Sequence, residues 1–333
     1  MLRTFSIVIH FCATLALIGV VLGYGGPIFY GLDLLGHFRL HLLIAAIILF
    51  LLALSLGRMG AVWRAAAAGV IALAGLSPLW ESPVETAGGP ALSVLTANLH
   101  YGNPRTPEVM ATLIKANADI LVTNETTKAT LDGVNPLSKI YPYRVSLKTR
   151  GSILRTVIWS KYPSSDESLF LEDTVGPTGA LAIVKLPNGR RVSVLGLHLA
   201  HAMPGNQRRQ IDALDTITAG VPRPLIVLGD FNAAPWSHAL RRVEDLTGTK
   251  RVPGYHITWR GDYPSPVGPI PSLMGHAIDH VLLSPGMAAE TVNLIPIPGS
   301  DHIALGAVVR LPDAWHRGMA AAQTNRRRAA THQ

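Results

Sequence analysis

The sequence predicts an α/β domain of two packed sheets with helices outside them, preceded by three membrane-spanning helices. Three observations carry this. Hydrophobic residues make up 48% of the chain and charged residues only 15%, whereas about a quarter is charged in ordinary soluble domains. Three apolar stretches fill the first 80 residues. From Ala91 onward the texture changes to short apolar runs broken by polar clusters, as strands require.

The predicted spans are 5–22, 40–56 and 62–80. A helix needs about 20 apolar residues to cross a bilayer, with ~17 as the short limit. The first stretch is uncharged and long enough. The second needs Leu40 and a snorkelling Arg39. The third is Ala-rich, carries Arg64 and is the weakest. Arg3, Arg58 and Arg64 on one side against Arg39 on the other favour an N-terminus inside. Three crossings then place residue 81 onward outside, in the periplasm if the cell is a bacterium, with the chain as a multi-pass inner-membrane protein. Residue Arg3 also fits the basic start of a signal peptide, but no clear A-x-A cleavage site follows. Residues 81–90, with Pro83, Gly88, Gly89 and Pro90, read as a linker.

The remaining elements belong to a domain over 91–313. Residues 92–99 read as a strand. Thr106-Pro107 then supplies an N-cap and a first-turn proline. Val109, Met110, Leu113 and Ile114 continue at helical spacing. A buried strand at 120–122 completes a strand–helix–strand unit. Further strands are expected at 156–160 and 180–186, a hairpin turn at Pro187-Asn188-Gly189, and a partner strand at 192–199. A helix over 206–219 leads to a strand at 225–228, and strands at 278–283 and 304–311 end the domain. Residues 233–277 are predicted to be mostly loop, forming part of a substrate rim. The Ala- and Arg-rich segment 314–333 reads as a mobile basic tail.

Charge and cysteine content exclude several functions. The net charge is +8, and half of it comes from Arg317, Arg326, Arg327 and Arg328. The balance therefore demands no basic groove for duplex nucleic acid. Cys12 is the single cysteine, so an internal disulfide framework and CxxC zinc or redox sites are excluded.

Polar residues recur where apolar strands end: Asn98, Glu125, His198, Asp230 and Asn232, Asp279, and Asp301 with His302. Such a set suits phosphoester hydrolysis. A hard divalent cation takes oxygen ligands, which Glu125, Asn98 and Asp301 would supply. His198, Asn98 and Asn232 would donate to phosphoryl oxygens. The attacking water needs a base, either Asp230 or a His302 oriented by Asp279.

Gly-Asp-Phe-Asn at 229–232 followed by Ser-Asp-His at 300–302, reinforced by Ile-Asp-His-Val at 278–281 and Gly-Leu-His-Leu at 196–199, resembles the DNase I-like endonuclease/exonuclease/phosphatase superfamily over 91–311. The N-terminal apolar stretches are similar to those of its bacterial membrane-anchored members. The resemblance implies a four-layer α-β-β-α sandwich and Mg²⁺-dependent, sometimes Mn²⁺-dependent, phosphoester cleavage. It implies Glu125 as principal metal ligand, with Asn98 and Asp301 at the metal site. His198, Asp230, Asn232, Asp279 and His302 become the catalytic group. Two departures stand out: Asn124 precedes the metal glutamate where the family usually has glutamine, and His100 sits where some nucleases carry an acidic ligand.

Fold and catalytic set do not choose a substrate. A domain tethered to a membrane meets lipid head groups at high effective concentration, so a lipid phosphoester is expected, with extracytoplasmic DNA or RNA as the alternative. A catalytically silent membrane scaffold is the competing class. No obligate protein partner is inferred.

Overall fold

The computed structural model describes residues 2–81, 88–127, 136–146, 154–167, 179–201, 206–260 and 275–312. The predicted tail at 314–333 and most of the linker at 81–90 lie outside them.

Predominantly apolar sequence makes helices of Leu2–Leu22 (α1), Arg39–Ser55 (α3) and Met59–Ala74 (α4), with the short Asp33–His37 (α2) in the turn between the first two. The three long helices meet through small residues, including Ala13, Ala16, Ala46, Ala53, Ala61, Ala65 and Ala68, which let backbones approach closely. Large apolar side chains such as Phe11, Ile18, Ile47 and Leu51 point outward. Of the described helices, Thr4–Leu22 is long and apolar enough to cross a membrane. The segments Tyr30–His37 and Arg39–Ser55 meet that test only as a single pair bent by 57°. The third expected span is a helix of 16 residues, ending at Gly75 ahead of a 3₁₀ turn over Ser77–Trp80 that contains Pro78. The apolar run thus outlasts the helix, because proline cannot extend it.

The rest is a mixed α/β sandwich. In chain order its elements are β1 (Ala91–Asn98), α5 (Thr106–Ala116), β2 (Ile120–Thr127), α6 (Leu137–Ile140), β3 (Tyr143–Ser146), β4 (Leu154–Ser160), β5 (Ser164–Glu167), β6 (Gly179–Lys185) and β7 (Arg191–His198). They continue with α7 (Asn206–Thr218), β8 (Leu225–Asp230), α8 (His238–Thr247), β9 (Lys250–Arg251), β10 (Asp279–Leu283), β11 (Ala288–Pro296) and β12 (Ile303–Arg310). One sheet has the order β11-β12-β1-β2-β4-β3, the other β5-β6-β7-β8-β10-β9. Each contains one parallel pair, β1 with β2 and β7 with β8, joined by the crossover helices α5 and α7.

Alternation along the strands builds the layers. Val94, Val122, Val194 and Leu228 face inward to a core shared by both sheets. Leu95 and Leu121 face α5 and α6, while Leu195 and Val227 face α7 and α8. The result is four layers, helix–sheet–sheet–helix.

Several elements were not foreseen, among them β3, β5, α8 and β11. Within the segment 233–277, expected to be mostly loop, a helix forms: Ser237 Oγ accepts Leu240 N–H at 3.1 Å, and α8 then runs to a left-handed cap at Gly248. Strand β11 was not foreseen; most of its side chains are exposed or half-exposed, so it lacks the apolar alternation that marks a strand.

Candidate active site

The topology explains why distant polar residues meet. Strands β7, β8 and β10 are neighbours, and their ends register His198 beside Asp230 and Asp230 beside Asp279. In the other sheet Asn98 registers beside Asn124. Asp301 and His302 immediately precede β12, the other neighbour of β1.

Local backbone then aims the side chains. The β2–β4 pairing slips between Thr123 and Thr126, and Glu125 sits within the slip at φ 54°. A bulge re-aims a side chain in this way, and here it delivers Glu125. Its Oε1 accepts Asn98 Nδ2 at 3.0 Å and its Oε2 accepts Tyr101 N–H at 2.8 Å. Gly229 has φ 148°, and a Cβ there would collide with the Leu197 backbone. Glycine before Asp230 is therefore a steric requirement.

Asp230 is the hub. Its Oδ1 accepts Asn232 N–H at 2.9 Å and its Oδ2 accepts Asn98 Nδ2 at 3.0 Å. His302 Nε2 lies 3.7 Å and His198 Nε2 3.8 Å from Oδ2. His302 Nδ1 is 2.8 Å from Asp279 Oδ2. Burial alone would lower the His302 pKa, but the nearby carboxylates of Asp279, Asp230 and Asp301 outweigh it and raise it to about 10. Burial raises the Asp279 carboxyl as well, so the Asp279–His302 pair holds a shared proton at neutral pH.

All eight residues expected from sequence thus occupy one end of the sandwich. They are not equivalent. The ligand atoms of Asp230, Asp279 and His302 come within 4.8 Å of one another. Glu125 joins this group through Asn98. Asp301 is held apart on the rim, its Oδ2 accepting Trp259 Nε1 at 3.0 Å and its Oδ1 3.5 Å from His100 Nδ1.

Sequence reasoning gave Asn124 too little weight. Its amide is fully buried and clamps the sheets together: Oδ1 accepts Asp230 N–H at 3.2 Å, while Nδ2 donates to Leu197 O at 2.9 Å and to Thr156 Oγ1 at 3.0 Å. His100 and Trp259 were likewise not named as supports of Asp301. His100 could be found by its position two residues past Asn98, whereas Trp259 stands beside no motif in the sequence. Of the remaining histidines, His201 is exposed, His256 bonds to Pro253 O and His276 packs on Trp259.

The basic residues of α8 and β9, which follow the Gly-Asp-Phe-Asn motif at 229–232, are engaged in local contacts. Arg251 donates to the carbonyls of Val252, Gly254 and Pro78. Arg242 lies near Asp212, Lys250 pairs with Glu244, and Arg241 donates to Trp236 O.

The donor set fits a hard cation. Among the described residues no Lys or Arg pairs with Glu125, Asp230, Asp279 or Asp301, and the basic group set against Asp230 and Asp279 is His302. The oxygen donors of Glu125, Asn98 and Asp301 suit Mg²⁺ or Mn²⁺.

Comparison with known proteins agrees with the fold. The endonuclease/exonuclease/phosphatase family model matches residues 95–302. TDP2 of D. rerio, solved with single strand DNA product, aligns at 15% identity over 66% of this chain and 99% of its own, with a TM-score of 0.53. TDP2 of C. elegans aligns at 19% identity over 68% and 77%, with a TM-score of 0.52. Sphingomyelinase C from Streptomyces griseocarneus aligns at 19% over 66% and 99%, with a TM-score of 0.49. At such identities the likeness is one of fold. No curated protein matches the sequence.

Proposed function

Since the chain belongs to the endonuclease/exonuclease/phosphatase family, whose members are phosphoester hydrolases, we propose that it is a metal-dependent phosphoesterase held at a membrane by its N-terminal helices. The observation that carries the hydrolytic reading is the convergence of Asp230, Asp279 and His302 beside Glu125 and Asn98. A bound Mg²⁺ or Mn²⁺ would be held by Glu125, Asn98 and Asp301 and would supply Lewis-acid stabilisation of phosphoryl charge.

The protein's own groups divide the remaining work. His302, kept protonated by Asp279, donates to a phosphoryl oxygen rather than abstracting a proton. Asp230, an acceptor bonded to two amide donors, takes the proton of the attacking water. Asn232 and His198 donate to the phosphoryl or leaving-group oxygen as charge develops.

Exposed Phe11, Ile18, Ile47 and Leu51 on the helices support embedding in a bilayer, and the excess of Arg3, Arg58 and Arg64 over Arg39 supports a catalytic domain on the periplasmic face of an inner membrane if all three helices cross. The engagement of Arg241, Arg242, Lys250 and Arg251 in local contacts supports a lipid or small phosphoester over a polynucleotide, which wants free cations along a groove.

The test is turnover of bis(p-nitrophenyl) phosphate by the full chain in detergent micelles, with and without chelator. Glu125→Ala is expected to lower kcat/KM about a thousandfold or more. Metal-independent turnover, or a fully active variant, overturns the reading. A panel of phospholipids, DNA and RNA then separates substrate classes, and cleavage of nucleic acid alone removes the lipid assignment.

A further inference from the structure

The turn between α1 and α3 reaches into the catalytic domain. Ile28 and Phe29 lie exposed at 90% and 59%, yet Tyr30 and Asp33 beside them are buried at 8% and 2%. Asp33 caps α8: Oδ1 accepts His238 N–H at 2.7 Å and Oδ2 accepts Ala239 N–H at 2.9 Å. With Ser237 on Leu240 N–H, three free amides of that helix start are satisfied, two of them by a carboxylate 205 and 206 positions away. Trp236 Nε1 donates to Gly36 O at 2.7 Å.

The contact of Tyr30 is chemically directional. Its Oη donates to Gln207 Oε1 at 2.9 Å, and the fully buried Gln207 donates through Nε2 to Phe231 O at 3.1 Å and to Asn232 O at 3.0 Å. A flipped amide would set Oε1 against two carbonyls, so the Gln207 orientation is fixed and Tyr30 completes its bonding. Those carbonyls belong to the turn in which Asn232, at φ 46°, returns its N–H to Asp230 Oδ1. The segment 231–239 is therefore gripped at both ends by residues 30–36.

We infer that Tyr30 and Asp33 are positioning residues for the 230–232 catalytic turn, so that the N-terminal helices form part of the catalytic apparatus rather than a tether alone. This rests on the hydrolytic reading of Asp230. Tyr30 acts through Gln207, and Asp33 through the start of α8.

The experiment uses the full chain in micelles, with two readouts. The first is kcat and KM for bis(p-nitrophenyl) phosphate, beside the melting temperature. Tyr30→Phe is expected to lower kcat about fivefold, the worth of one hydrogen bond, with KM and melting temperature nearly unchanged. Gln207→Glu, which sets a carboxylate oxygen against two carbonyls, is expected to lower it more. Asp33→Asn, retaining one acceptor, is expected to recover part of what Asp33→Ala loses. The second readout is hydrogen–deuterium exchange over 228–239, which needs no turnover: exchange there is expected to rise in Tyr30→Phe while that of β1 and β2 stays fixed. If the wild type is inactive, the hydrolytic reading fails and exchange still decides the coupling. Unchanged exchange over 228–239 together with unchanged kcat per folded molecule overturns the inference, as does an Asp33→Ala effect confined to melting temperature.

Discussion

The two halves of the site differ in how finished they are. The side chains of Asp230, Asp279 and His302 are 2%, 1% and 6% exposed, and each has a short partner or a charge of opposite sign within 4 Å. Glu125 and Asp301 are each 16% exposed and face amides, an indole and the imidazoles of His198 and His100. The first half is organised by the protein itself. The second is an acceptor-rich surface whose charge is balanced only when a cation arrives. Removing a residue from the first half should therefore disturb stability and chemistry together, while Glu125→Ala should remove turnover and leave melting little changed.

The largest effect expected within the organised half is at Asp279. Loss of the carboxylate removes the charge that keeps His302 protonated and the acceptor that orients its ring, and Asp279→Asn is expected to lower kcat by about a hundredfold or more. Its pH signature in chelator is specific. The folded pKa of His302 is raised from 6.5 to about 10, so its contribution to stability is fully present below pH 6.5 and is lost as pH rises through about 10. Unfolding midpoints of the wild type should fall over that alkaline window, and those of Asp279→Asn should fall less. Equal slopes would show that the pair does not hold a proton.

A smaller effect, read here as stability, is expected where the organised half is built by backbone. Gly229→Ala forces a Cβ into the Leu197 backbone at a φ that side chains rarely adopt. A loss of about 1–3 kcal/mol follows from such strain, read as a lower urea midpoint. An unchanged midpoint would mean that the approach of β8 to β7 relaxes freely.

The same contrast explains what sequence could reveal. Asp230, Asp279 and His302 were legible because each terminates an apolar run, and strand ends on one side of a sheet share one edge. Glu125 was legible by its motif, although the bulge that aims it was not, since a slipped register leaves no mark in an alternating pattern. Asn124 was visible but misjudged: its partner Asp230 lies 106 residues away in the other sheet, and no local pattern encodes contacts between sheets. Tyr30 and Gln207, 177 residues apart, were hidden for the same reason. Hydropathy located the N-terminal helices but carried the third past Gly75, because Leu76, Leu79 and Trp80 are apolar and only Pro78 marks the end.

The smallest expected effect concerns a histidine that the chemistry does not use. His280 lies on β10 facing away from Asp279, buried against Phe231, with Nε2 at 2.7 Å from Ala233 O. Burial, reinforced by Arg251, lowers its pKa from 6.5 to about 3. It therefore stays neutral when folded and protonates when unfolded. No stability is at stake above pH 6.5; below it, the unfolded chain binds a proton that the folded one refuses, and stability declines as pH falls toward 3. One such group contributes at most about 1.4 kcal/mol per pH unit. His280→Gln keeps a donor for Ala233 O and removes the titration. Between pH 6.5 and 5, above the range where most carboxylates titrate, its urea midpoint should fall less steeply than that of the wild type. Parallel declines would mean that His280 takes up its proton in the folded state, and that this wall of the organised half is open to water.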